Sequence, residues 1–94
     1  MSENINELIE NLRNIGFGHR KDFGEQIQNI AYRIMEKTRI GKRDDVFYLL
    51  LRTFSANQKP FPKALVEPFK PNYDDGVFKS CIYAFLSGVL GGEE

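Results

Sequence analysis

The chain has 94 residues, of which 41% are hydrophobic and 28% charged, so it is expected to form a single domain over residues 1–94. Thirteen basic and thirteen acidic residues give a formal net charge of zero, which argues against a histone-like polycation. The single cysteine and single histidine exclude an internal disulfide, a cysteine-based zinc site and a His–His metal site, and the sequence indicates no cofactor.

The first predicted helix covers residues 3–15. Its isoleucine and leucine residues recur at i, i+3, i+4, i+7 and i+10, which is the spacing of one helix face. Ser2 is the expected N-cap, and Gly16 and Gly18 are expected to end the helix because glycine tolerates the left-handed conformation of a C-terminal cap.

Two more helices are predicted in the middle of the chain. Residues 22–38 carry a second apolar stripe, with Asp22 as a possible cap and Gly41 as the expected terminator. Residues 44–55 follow with Asp44 as cap, and their apolar residues cover more than one face. A helix of that kind is either buried centrally or lies in an interface.

The remaining third is predicted to be a proline-rich connection followed by a last helix. All four prolines fall within residues 56–73, so no long helix crosses that stretch, although a short helical turn at 62–67 is plausible. Residues 74–90 form the last amphipathic helix, capped by Asn72 or Asp74. The predicted fold is all-α: a small bundle of four main helices with a proline-rich connection before the last one.

The expected location of the chain is the reducing cytoplasm. No apolar run approaches the roughly 18–20 residues of a membrane span. The N-terminus is acidic and polar, unlike the positive and apolar regions of a signal peptide.

Charge is distributed unevenly along the chain. Residues 1–12 carry a net charge of −3, residues 13–43 a net charge of +5, and residues 44–94 a net charge of −2. A basic middle third in a neutral chain is typical of proteins that bind polyanions and also pack against other proteins. The alternative is an ordinary solvated helix face followed by a flexible turn.

Few residues form a pattern that supports catalysis. Asp44–Asp45 and Asp74–Asp75 stand at predicted helix starts, where carboxylates act as caps and favour the positive end of the helix dipole. Gly41-Lys42-Arg43 lacks the upstream glycine and the hydroxyl residue of a P-loop. Its two bases and the following helix start nevertheless suit a phosphate, although Asp44 weakens that interpretation.

Three further residue types have two interpretations each. His19, between glycine and arginine, either contacts a phosphate or a base or is an ordinary surface residue. Cys81 lies on the apolar stripe of the last helix and is expected to be a small buried hydrophobe. Tyr32 beside Arg33 is either a stacking platform for a nucleobase or a tyrosine at the core boundary.

Several short segments resemble a known family. They are Ala31-Tyr32-Arg33, residues 39–44 (RIGKRD), residues 50–52 (LLR), residues 59–62 (KPFP) and residues 83–91 (YAFLSGVLG). Together they are similar to the C-terminal segment of the large subunit of type I-B CRISPR Cascade complexes. In that family this segment is also made separately, as the small subunit.

The resemblance covers roughly residues 25–92 and implies a non-catalytic helical subunit. Such small subunits stack in a minor filament, contact the backbone and large subunits and further copies of themselves, and support the target and displaced DNA strands of the R-loop formed by the crRNA. No enzyme activity and no membrane association is expected. The resemblance supplies no residue-by-residue contact motif.

The candidate nucleic-acid contacts therefore come from the charge distribution alone. They are seven of the eight basic residues of the middle block together with one basic residue of the third helix: Arg20, Lys21, Arg33, Lys37, Arg39, Lys42, Arg43 and Arg52. The main alternative is a helical adaptor without a nucleic-acid role, whose broadly apolar third helix docks a protein partner. A small enzyme or ligand carrier is a third and weaker alternative.

Overall fold

A computed structural model of the chain describes residues 5–23 and 26–91. Those residues form five helices and no strand, so the prediction of an all-helical bundle is confirmed. None of these helices is both long and apolar enough to cross a lipid bilayer. The four α-helices and the one short 3₁₀ helix are, in chain order, α1 (Ile5–Phe23), α2 (Ile27–Arg39), α3 (Arg43–Ala56), the 3₁₀ helix (Lys63–Phe69) and α4 (Asp75–Val89).

Helix α1 continues through both glycines that the sequence suggested would end it. Gly16 is buried against α4, where an added Cβ would lie 2.1 Å from the carbonyl oxygen of Phe85. Gly88 of α4 makes the reciprocal close contact, because a Cβ there would lie 2.0 Å from the carbonyl oxygen of Arg13. The prediction of an end at Gly16 was wrong, since this glycine allows two helix backbones to touch. The predicted Ser2 cap lies outside the described residues.

Helices α2 and α3 form an antiparallel hairpin around Gly41, as predicted for the end of α2. Gly41 has a φ of 77°, its N–H donates to the carbonyl of Thr38, and the N–H of Lys42 donates to the carbonyl of Lys37, each over 3.0 Å. This is the Schellman arrangement, which satisfies carbonyls that the helix end leaves unpaired. The hairpin turn is therefore fixed by backbone hydrogen bonds.

Two predicted N-caps were wrong. Asp22 lies inside the last turn of α1, and Gln26 is the N-cap of α2. Asp44 lies in the first turn of α3, whose N-cap is Lys42. An acidic residue in a first turn still interacts favourably with the helix dipole, so a sequence pattern places such a carboxylate near a helix start without fixing its exact position.

The proline-rich connection contains the short helical turn that was predicted, as a 3₁₀ helix that begins at Lys63, after Pro62. The next helix, α4, begins where the sequence indicated. Its cap is Asp74, whose Oδ1 accepts a hydrogen bond from the backbone N–H of Val77 over 2.9 Å. This bond satisfies one of the N–H groups that the first turn leaves free.

The core lies between all five helices. Helix α4 packs against α1, α2 and the 3₁₀ helix, and α2 packs against α3. Because α4 is surrounded by other elements, eight of its residues are buried. Phenylalanine supplies much of the buried volume, and the largest fully buried side chains include Phe54, Phe78, Phe85, Leu12, Ile34 and Leu50.

Cys81 is fully buried on α4, as predicted, and burial raises the pKa of its thiol from 9.0 to about 11. An unfolded chain therefore loses the thiol proton before the folded protein does. We expect the free energy of unfolding to fall as pH rises from about 9 to about 11, by up to about 1.4 kcal/mol per pH unit, since over that range only the unfolded state is deprotonated.

Urea unfolding at several pH values across that window tests this expectation. The Cys81→Ala variant is the control, because it lacks only the thiol. The stability of the wild type should fall more steeply with pH than that of the variant. Parallel pH dependences would contradict a buried neutral thiol.

Gln58 adopts a left-handed conformation with a φ of 58°, alone among the described residues that are not glycine. It follows α3, where its N–H donates to Ser55 and the N–H of Lys59 donates to Phe54 over 3.0 and 2.9 Å. A side chain strains this conformation, whereas glycine adopts it freely. Gln58→Gly is therefore expected to raise the free energy of unfolding by about 0.5–1 kcal/mol.

Thermal and urea unfolding measure this gain. Gln28→Gly is the matched control, because Gln28 is exposed within α2 and has no positive φ. That substitution is expected to destabilise the protein by about 0.5–1 kcal/mol. A loss of stability in both variants would show that the turn after α3 does not hold the strained conformation.

Candidate nucleic-acid interface

An open groove of about 530 Å³ runs between α2 and α3, and two of the predicted cations line it. Arg33 comes from α2 and Arg52 from α3, and both residues are exposed. Ile30 and Leu49 supply apolar side chains between them. Within residues 5–23 and 26–91, neither guanidinium has a carboxylate partner. Two unpaired positive charges beside one groove create a local potential that attracts anions.

Arg33 and Arg52 line the same groove because of the geometry of the hairpin. In an antiparallel helix pair, residues equally distant from the turn lie side by side. Lys37 and Asp45 are each four residues from Gly41, and they form an ion pair with 3.7 Å between Nζ and Oδ2. The same register places Arg33 opposite Leu49, one helical turn from Arg52.

Two other predicted contacts on α2 are neutralised by nearby acids. Lys37 is half-exposed and paired with Asp45, as described above. Arg39 is paired with Glu36 on the exposed surface of α2. Their hydrogen bond raises the pKa of Arg39 above its ordinary value. These two side chains must leave or share their carboxylates before they can bind a phosphate.

The Arg43 guanidinium is engaged in contacts with other residues of the protein. Its Nη2 donates to the carbonyl oxygen of Tyr73 and to Oδ1 of Asp75, each over 2.9 Å. Its guanidinium also lies 4.9 Å from the centre of the Phe78 ring. The residue therefore links the start of α3 to the start of α4, and only about a quarter of its side chain is exposed.

Lys42 remains exposed at the hairpin turn and has no ion pair within the described part of the chain. It shares a shallow depression with Gly41, Arg43, Asp44 and Asp45. Because two carboxylates line this depression, its potential is far less positive than the sequence Gly-Lys-Arg indicated.

Arg20 and Lys21 lie at the end of α1, away from the α2–α3 groove. The Arg20 guanidinium lies 5.1 Å from the centre of the Phe17 ring and packs against Gly91, just after α4. Lys21 is exposed. The eight predicted cations therefore do not form one surface, and the α2–α3 groove is lined by Arg33 and Arg52, which have no carboxylate partner among the described residues.

His19 lies within α1 and is partly buried. Its ring stacks on Phe23 and meets the edge of Phe54, with ring centres 5.8 and 5.1 Å apart. Its Nδ1 lies 3.3 Å from Oδ2 of Asp22, which also pairs with Lys59 over 3.7 Å. His19 is thus part of the packing at the end of α1, and about a quarter of its side chain is exposed.

Tyr32 is 66% exposed, too much for a residue at the core boundary, and therefore remains available beside Arg33. Helix α3 also exposes aromatic and aliphatic surface. Tyr48 and Leu51 are 58% and 42% exposed, and the Arg52 guanidinium lies 5.7 Å from the Tyr48 ring centre. The apolar residues of α3 thus lie on two faces, one buried in the core and one exposed.

The sequence did not single out the residues that shape the groove. Gln26 and Asn57 line one end of it, and Leu49 and Thr53 line its wall on α3. The register around Gly41 was the available signal, because it brings the first half of α2 alongside the second half of α3. Comparison of the chain with protein-family models, with curated proteins and with solved structures gives no match.

Proposed function

We propose that the chain is a non-catalytic small subunit of a CRISPR RNA-guided Cascade complex, where it supports the strands of the R-loop through cations of α2 and α3. The observation that carries this proposal is the groove lined by Arg33 and Arg52, neither of which has a carboxylate partner in the part of the chain that the structure describes. The short segments that resemble the Cascade small subunit, and the all-helical bundle, support it further.

The physical requirements of such a subunit are modest. In guide-directed complexes base pairing supplies sequence specificity, and the protein binds the backbone and shape of the nucleic acid. A few phosphate contacts per copy are enough when several copies repeat them along a strand, since linked weak contacts add. Its partners are then the backbone and large subunits, further copies of this chain, the crRNA–target DNA hybrid and the displaced strand.

A salt titration of binding tests the nucleic-acid role. We expect Arg33→Ala combined with Arg52→Ala to weaken binding of the assembled complex to target DNA. The variant should also lower the slope of log affinity against log salt by about one unit for each lost phosphate contact. The control combines Lys63→Ala with Lys70→Ala, which removes two exposed positive charges outside the groove. An unchanged slope in the arginine variant would contradict the proposal.

Purification of a tagged copy tests the assignment to a Cascade complex. We expect crRNA and the backbone and large subunits to be recovered together with the tagged chain. Recovery of protein partners without RNA would contradict this assignment and favour an adaptor.

The adaptor is the second candidate function, and one observation favours it. Tyr48 and Leu51 form an exposed apolar surface on α3, beside the charged groove. Tyr48→Ser combined with Leu51→Ser would then abolish partner binding, while the double substitution of Arg33 and Arg52 would leave it intact. The nucleic-acid proposal gives the reverse order of effects.

A further inference from the structure

The groove between α2 and α3 combines charge, apolar surface and side-chain amides in one place. Arg33 and Arg52 provide guanidinium groups that have no carboxylate partner among the described residues, and Ile30 and Leu49 provide apolar surface in the same groove. From this combination we infer that the groove binds one unstacked nucleotide of a single strand, with its phosphate at the arginines and its base against the apolar wall. This inference rests on the proposed function and names the ligand of that same site.

The phosphate end of the site follows from charge. A phosphodiester carries one negative charge, and guanidinium groups donate to phosphate oxygens in a planar, bidentate geometry. The repulsion between Arg33 and Arg52 is relieved when an anion lies between them, because no carboxylate of the described residues does so. A guanidinium plane also stacks on a nucleobase.

The base end of the site follows from the other lining residues. Asn57 donates from Nδ2 to the carbonyl oxygen of Thr53 over 2.8 Å, so its Oδ1 is left as an acceptor. Gln26 is exposed and adds a second amide at the same end of the groove. An apolar wall with two amides at its end suits a planar base whose edge carries donors and acceptors.

The second groove of comparable size lacks these properties. It lies between α3 and the 3₁₀ helix and holds about 600 Å³. Its two cations are already paired, Arg43 with Asp75 and Lys70 with Glu67, and Asp44 adds a negative charge. The charge complementarity to a phosphate is therefore specific to the α2–α3 groove.

The consequence is a preference for single strands. The bases of a duplex are stacked and paired, so that none can enter the groove until it is unstacked and unpaired. In a single strand each base is accessible and can pack against the groove wall without that cost.

Fluorescence anisotropy with three labelled DNAs of equal length tests the inference on the full chain: a single strand, the same strand with abasic sites in place of its bases, and a duplex. Because the first two carry identical phosphates, we expect the abasic strand to bind about tenfold more weakly. Duplex DNA should likewise bind more weakly than the intact single strand.

A groove-filling variant localises the effect. Ala56 is exposed and lines the groove, so Ala56→Phe occupies the base end without changing the charge. It should lower the affinity for the intact strand to that for the abasic strand and leave the abasic affinity unchanged. The control is Ser55→Phe, at the neighbouring exposed residue, which lies outside the groove lining and should change neither affinity.

The outcomes separate the inference from the proposed function. Equal, salt-sensitive affinity for the intact and abasic strands overturns the nucleotide site and leaves a phosphate-binding role standing. Loss of affinity in Ser55→Phe as large as in Ala56→Phe also overturns the site. Absence of salt-sensitive binding to any of the three DNAs, in the free chain and in the assembled complex, overturns both.

Discussion

Alanine at position 16 is expected to lower the free energy of unfolding by about 3 kcal/mol or more. The new methyl group would lie 2.1 Å from the carbonyl oxygen of Phe85, a backbone atom that cannot rotate away. Helices α1 and α4 would have to separate, and the packing around Leu12 would loosen with them. Since small domains are stable by only about 5–15 kcal/mol, this one methyl group removes a large share of the total.

The matched control lies two residues further along the same helix. A Cβ at Gly18 would meet nothing within 4 Å, so Gly18→Ala should stabilise the protein by about 0.5–1 kcal/mol, the difference in helix propensity. Gly88→Ala, on the other side of the crossing, should be as damaging as Gly16→Ala. Urea unfolding followed by circular dichroism measures all three. Similar values for Gly16→Ala and Gly18→Ala would show that the helices do not touch at Gly16.

Truncation of Phe54 to alanine should cost about 3–5 kcal/mol, the second large effect. Its ring is 1% exposed and contacts four other rings. The ring centres of His19, Phe23, Phe61 and Phe85 lie 5.1, 5.1, 5.5 and 6.2 Å away. Removal of the ring leaves a cavity that joins α1, α3, α4 and the proline-rich connection, so all of these elements lose contacts.

Two further variants keep this prediction testable if Phe54→Ala does not fold. Phe54→Leu retains most of the volume and should cost about 1–1.5 kcal/mol. Phe17→Ala is the control, because Phe17 is 47% exposed and its ring contacts the Arg20 guanidinium. Its truncation should cost less than about 1 kcal/mol. A Phe54→Ala protein as stable as Phe17→Ala would contradict the central position of this ring.

The sequence predicted the helices well and their ends less well. Apolar periodicity located every α-helix because burial of one face leaves a regular pattern. The sequence predicted that both Gly41 and Gly16 end a helix, yet Gly41 follows the end of α2 whereas Gly16 lies inside α1. The difference depends on whether another backbone approaches, and a tertiary contact of that kind leaves no trace in the local sequence.

The candidate site shows the same limit for charges. Residues 13–43 were correctly identified as basic, but the sequence could not say which cations are neutralised. Arg43 and Asp75 are 32 residues apart, and their pairing depends on how α3 meets α4. Arg52, which lies outside the basic segment 13–43, is one of the two that line the groove. Charge counts predict a basic segment, whereas folding decides which charges are free.

The engagement of Arg43 also fixes the direction from which a strand would approach the molecule. With Arg43 held by Asp75, and with Asp44 and Asp45 beside Lys42, the tip of the hairpin is nearly neutral. The two groove arginines, which lack a carboxylate partner among the described residues, instead lie along the flank of the hairpin, about 15 Å from that tip at the usual helical rise. A nucleic acid would therefore lie across the flank and the open end of the two helices, and the tip of the hairpin at Gly41 would stay clear for contacts with neighbouring proteins.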